Sequence, residues 1–199
     1  MNFHELATLV TDIHTNHFKI DENFSEVIPI INSNNSLRTY HSYIENTVKF
    51  RQIEEVNIYA LDYRRKHVLG RYQKYEKSAD IWIDANLNTC WKRYVVAKEL
   101  SHLIVDTKST SFTTDINKLV LWMIKDGMPA DVNDALDSEH IAAQFAAELL
   151  LPYNSTQHLL KDDSVSDISI ASKFKVPLRI VQVMKFRPDY LNNRDKAYN

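Results

Sequence analysis

Lys98, Glu99 and His102 stand at the spacing of a zinc-binding helix, within the stretch from Trp91 to Asp106 that reads WKRYVVAKELSHLIVD. In the pattern H-E-x-x-H, two histidines four residues apart share one helix face and hold Zn²⁺, and the glutamate between them serves as general base. This sequence keeps the glutamate and the second histidine and puts a lysine in place of the first. An ammonium has no lone pair to offer a metal. Neutralising it at pH 7 from an ordinary lysine pKa of ~10.4 costs about 4.6 kcal/mol, a cost that histidine hardly carries. Val95, Val96, Ala97, Leu100, Leu103 and Ile104 surround the helix axis, so the helix is expected to be buried. Lys98 then needs a facing carboxylate.

The elements that must position this helix can be read in order. Phe3, Leu6, Ala7, Val10 and Ile13 recur at helical spacing. Asn32 to Ser36 is a loop by composition, and Tyr40, Tyr43, Ile44 and Val48 give a second helical face. Val56, Ile58 and Ala60 alternate with Asn57 and Tyr59 as in a half-buried strand. Gly70 marks a bend, and Tyr72 to Ile83 completes a small sheet that ends in Ile81-Trp82-Ile83. Asn88 or Thr89 caps the central helix. Thr107 to Thr113 is a polar loop, and Ile116, Leu119, Val120, Met123 and Ile124 predict a helix over 115–126 that Gly127 and Pro129 stop. Ser138 is placed to cap a further helix from Glu139 to Leu151, ended by Pro152. Asp163 to Asp167 reads as an acidic connector, followed by a short helix, a turn at Lys175-Val176 and a helix opened by Pro177. Beyond Pro188 the polar composition predicts a frayed tail.

Composition bounds the function. The chain has 199 residues, 44% hydrophobic and 25% charged, which suits one domain with a full core and a small appendage. A net charge of −2 argues against a broad nucleic-acid footprint. The single cysteine, Cys90, excludes a disulfide framework and a cysteine-rich metal site, and it lacks a basic activator. With no leader-like apolar run and no span-length segment, the expected location is cytoplasmic. His4-Glu5-Leu6-Ala7-Thr8 begins like the zinc pattern but ends in Thr8 and reads as an ordinary first turn, and His14 and His17 fit a solvated helix end. No phosphate loop, dinucleotide fingerprint or G-x-S-x-G is present.

Three stretches share one likeness. Ile81-Trp82-Ile83 and then RYVVAKELSH over 93–102 match a strand followed by R-F-x-x-A-H-E-x-x-H. Glu139, Ala142, Phe145, Ala146, Ala147, Leu149, Leu150 and Pro152 match E-x-x-A-x-x-F-A-A-x-L-L-x-P. IASKFKVP over 170–177 matches a tail of the type I-A-x-x-F-x-V-S. Together, from Val56 to Phe186, these resemble the ImmA/IrrE family of metallopeptidase-like proteins, small zincins that act on DNA-binding repressors in bacteria and their mobile elements.

The resemblance implies an α+β, mostly helical zincin-like domain with a small antiparallel sheet and a C-terminal helix-turn-helix-like segment. It suggests N-terminal helices over 1–50 packed on the core, the zincin-like domain over 51–152, and the helix-turn-helix-like segment with its tail over 153–199. Against the family pattern the 115–126 helix is an insertion, a candidate lid or partner surface or a part of the core. The family register makes Glu139 the third metal ligand beside His102, with Glu99 as general base. Two chemistries are then open. In the first, zinc binds His102 and Glu139, with His140 or His67 considered as replacement ligands, and the chain is a zinc endopeptidase that cleaves a repressor. In the second, the Lys98 ammonium replaces the metal charge and pairs with Glu139. The chain then binds no cofactor and recognises a repressor-type protein partner of a phage or mobile element without cutting it. A third reading is a DNA-binding regulator, for which Lys173, Lys175, Arg179, Lys185 and Arg187 make the tail locally basic.

Overall fold

The computed structural model describes residues 3–17, 55–62, 69–105, 110–113 and 134–198. The predicted loop at Asn32 to Ser36, the helix from Tyr40 to Val48, His67 and the 115–126 helix lie outside the described residues. The expected class holds: helices dominate and the sheet is small.

Strands β1 (Glu55–Leu61), β2 (Gly70–Lys74), β3 (Ser78–Asp84) and β4 (Thr110–Thr113) form one sheet in the order β1-β3-β2-β4. Alternation fixes its inner face: Val56, Tyr72, Ala79, Ile81 and Ile83 are all buried, and their neighbours along β3 are half-buried. The sheet is mixed rather than wholly antiparallel. β2 pairs antiparallel with both β3 and β4, whereas β1 runs parallel to β3 with Ile58 opposite Ile81. The short turn in which Tyr75 N donates to Ser78 O joins β2 to one edge of β3, which leaves the other edge for β1. Strand direction leaves no trace in composition. Part of the expected polar loop is strand as well, because the β-branched and aromatic residues of Thr110–Thr113 extend the ladder on β2.

Helix α1 (Phe3–His17) buries Leu6, Ala7 and Val10, as its spacing predicts. Helix α2 (Thr89–Val105) lies against the inner face of the sheet. Asn88 is the residue that caps it, its side-chain oxygen accepting from Trp91 N at 3.0 Å. Helix α3 (Asp134–Leu150) packs on α2 through Ala142, Ala143, Ala146 and Ala147, all buried, and Tyr94 OH donates to Ala143 O at 3.0 Å. Small side chains let the two backbones approach closely, so groups on facing turns can touch. α3 starts one turn before the expected Ser138 cap, and Ser138 lies inside the helix.

Pro152 then separates α3 from α4 (Tyr153–Lys161). Ser166 caps α5 (Asp167–Phe174) by accepting from Ser169 N at 3.2 Å, and Lys175 closes α5 in the left-handed region at φ 54°. Helix α6 (Leu178–Lys185) follows with Pro177 at its N-cap. The buried Arg93 of α2 donates to Phe174 O at 3.1 Å, which fixes this helix pair to the central helix.

The frayed tail is not found. Pro188–Tyr198 is a helix, α7, whose Tyr190, Leu191 and Arg194 are buried and which packs on α1. A polar composition hid the stripe because one of its members is an arginine that the fold neutralises.

Candidate functional site

α2 and α3 bring Lys98, Glu99, His102 and Glu139 to one place. Lys98 and His102 are four residues apart, so they share a face of α2, and the alanine contact lets Glu139 approach that face from α3. Lys98 Nζ lies 2.6 Å from Glu139 Oε2, 3.0 Å from His102 Nε2 and 3.5 Å from Glu99 Oε1. Lys98, Glu99 and His102 are fully buried, and the Glu139 side chain is 14% exposed.

His102 Nε2 is also 3.3 Å from Glu139 Oε1, and one ring nitrogen cannot accept from Lys98 and donate to Glu139 together, so its role toward each depends on the ring tautomer. The other ring nitrogen, Nδ1, is 3.3 Å from Ser138 Oγ. Burial pushes the Glu139 carboxyl up, but its contacts with His102 and the Lys98 ammonium outweigh this and hold it at about 2. Glu139 is therefore ionised at neutral pH.

Two further groups set the geometry. Tyr72 of β2 stacks on the His102 ring at 5.5 Å between centroids and 25° between planes. Gly70, two residues earlier on the same strand face, lies so close to α2 that a Cβ there would overlap Val95 and come within 3.3 Å of Glu99 Oε1. From sequence, Gly70 is expected to mark a bend, and no motif there places Tyr72 or Ser138 in the site. The signal was present: Gly70 and Tyr72 obey the inward alternation of the strand, and Ser138 adjoins Glu139.

A catalytic zinc takes three protein ligands and a water, at roughly 2.0–2.2 Å for nitrogen and oxygen donors. Lys98 Nζ stands where His102 Nε2 and Glu139 Oε2 converge, and it brings three hydrogens rather than a lone pair. Two donors remain of the three required. Among the described residues no group of three His, Cys, Asp or Glu side chains is arranged to hold a metal ion. The described residues do not fit zinc. His140, next to Glu139 on α3, is turned about 100° from it around the helix axis.

The remaining candidates lie elsewhere. Cys90 is a half-buried thiol at the start of α2. His4 is exposed, with Nδ1 3.2 Å from Ala197 O, in the first turn of α1. Of the basic residues in the tail, Lys185 is turned inward, donating to Asp162 O at 3.0 Å and Val165 O at 2.8 Å and facing Asp167 at 3.6 Å.

Two α-helices that place a lysine, a glutamate, a histidine and a second glutamate around one point, beside a small sheet, define a zincin-like site. The family model described as the IrrE N-terminal-like domain, Peptidase_M78, matches residues 51–184, and the chain belongs to that family. The match takes in the sheet, the site and the α5–α6 pair. No curated protein and no solved structure matches the chain. Among the described residues no helix is long and apolar enough to cross a membrane.

Proposed function

We propose that this chain is a degenerate metallopeptidase-like regulator of a phage or other bacterial mobile element, which binds a repressor-type protein partner without zinc-dependent cleavage. One observation carries the reading: the Lys98 ammonium lies 2.6 Å from Glu139, in the place where a metal would meet its ligands. A fixed positive charge there balances the ligand carboxylate and keeps the two helices together, but it cannot polarise a carbonyl or lower the pKa of a water as zinc does. Glu99, the expected general base, then has no metal-bound water to deprotonate.

The test is zinc per chain in protein purified without added metal or affinity tag, with Lys98→His prepared in parallel. The expected result is an empty wild type and one zinc in the histidine variant. Stoichiometric zinc in the wild type would overturn the reading in favour of an endopeptidase, and loss of peptide cleavage in Glu99→Gln would then identify the base.

A further inference from the structure

A groove of about 720 Å³ runs between the first turn of α2 and the α5–α6 pair, away from the Lys98 cluster. Its walls include Trp91, Ile168, Val176 and Leu178, with Gln182 at their side and Arg179 as the one charged residue among them. Ile168 is 68% exposed and Leu178 38% exposed, although both are large aliphatic side chains. We infer that this groove docks a helical segment of a protein partner that presents apolar side chains on one face and a carboxylate beside them.

The charge of the groove selects that partner. Among the described residues no carboxylate lines it, Arg179 is exposed, and the first turn of the 17-residue α2 adds the partial positive charge of its backbone amides. Trp and Arg are the side chains that most often anchor protein interfaces, and a volume of this size takes a few side chains rather than a flat surface. Apolar anchors at i, i+3, i+4 and i+7 of an amphipathic helix would cover Ile168 and Leu178, and an acidic neighbour would meet Arg179.

Duplex DNA suits the groove less well. Leu178, Arg179 and Gln182 open α6, where a reading helix would present its residues to a base edge, and here they face α2 across the groove. Phosphate binding draws on several lysines and arginines at once, and Lys185 is already held by two carbonyls. The inference rests on the partner-binding half of the proposed function and is independent of zinc.

A displayed library of random peptides about four helical turns long is selected on the full chain, and enriched peptides are remade with a fluorescent label. The expected winners carry an apolar helical stripe flanked by Asp or Glu. Their affinity is expected to fall about tenfold or more in Arg179→Glu and in Leu178→Asp. Both side chains are exposed, so thermal melting should match the wild type, and selection on Arg179→Glu should favour basic peptides instead. Failure to enrich any peptide would overturn the inference, as would winners indifferent to both substitutions or displacement of bound peptide by a short DNA duplex. Zinc uptake by Lys98→His, read separately, tells failure here from failure of the degenerate-site reading.

Discussion

Helix α3 carries two glutamates that each meet a buried cation, and the two meetings are built differently. Glu139 and Glu148 are nine residues apart, two and a half turns, so they leave opposite sides of the helix. On one side, Glu148 accepts from Arg194 Nε at 2.7 Å, Tyr190 OH at 2.6 Å and Tyr198 OH at 3.0 Å. The rest of the guanidinium donates to Thr156 Oγ1, Gln157 Oε1 and Leu151 O. Burial and the Glu148 charge push both tyrosines up, so they remain O–H donors. One cation meets one carboxylate there, and neutral partners saturate both. On the other side, the compact Lys98 ammonium faces two carboxyl groups and an imidazole. The first arrangement has the chemistry of a clamp. The second sets a single positive charge at the point where His102 and Glu139 converge.

The largest effect expected is on the clamp. Arg194→Met leaves Glu148 buried without its cation, and the chain should lose about 3–5 kcal/mol in denaturant unfolding. Arg194→Lys should recover little of this, because a point charge cannot serve Glu148, Thr156, Gln157 and Leu151 together. A wild-type unfolding midpoint in either variant would remove the distinction between the two clusters.

Lys98→Met should cost about 3 kcal/mol, the lower end of the same range, because Glu139 reaches solvent and can take water. Adding zinc to Lys98→His at about a hundredfold its dissociation constant should raise stability by about 2.7 kcal/mol and leave the wild type unchanged. An equal zinc response in both proteins would show that Lys98 does not stand in for the metal.

Acid should act on the Lys98 side. The carboxyl of Glu139 is held at about 2, below the ordinary carboxylate value of 4.5, so its contribution to stability is complete above pH 4.5 and is lost as the pH falls towards 2. Glu139→Gln should flatten the stability profile within that window. If its profile there parallels the wild type, the Lys98–Glu139 pair is not what acid breaks.

The smallest effect expected comes from a site that touches neither cluster. Lys175→Gly relieves a left-handed backbone at φ 54° and should stabilise by about 1 kcal/mol, with zinc uptake by Lys98→His unaltered. Any change in that uptake would mean that the α5–α6 turn is coupled to the site.

Much of this was legible in the sequence wherever a short-range pattern carries the information. The α2 spacing, the alternation of Val56, Ile58 and Ala60 in β1, the alanine face of α3 and the α5–α6 turn are all local rules. What escaped depended on neighbours far along the chain. The parallel direction of β1 is set by which edge of β3 is left open, and the order of α7 is set by Glu148 more than forty residues earlier. Tyr190, Leu191, Arg194 and Tyr198 do form a helical stripe, but without Glu148 in view its arginine reads as a solvated residue. At the site, sequence supplied the residues, and only the folded geometry shows that Lys98 Nζ lies between His102 and Glu139.

The packing of α1 on α7 has a consequence for the time course of folding. Phe3 meets Tyr190 edge to face at 5.5 Å, and His4 contacts Ala197, 193 positions later. Bringing such distant segments together is the most entropically costly loop closure in the described fold, and contacts of this kind form late. The sheet with α2 and α3 can collapse first, with Leu6 and Val10 still in water. Covering them is then expected to be a closing step, in which α1 docks on α7 and on α3. A chain delayed before that event would expose the apolar stripe of α1, and its earliest vulnerability to proteases and to self-association would be at that helix.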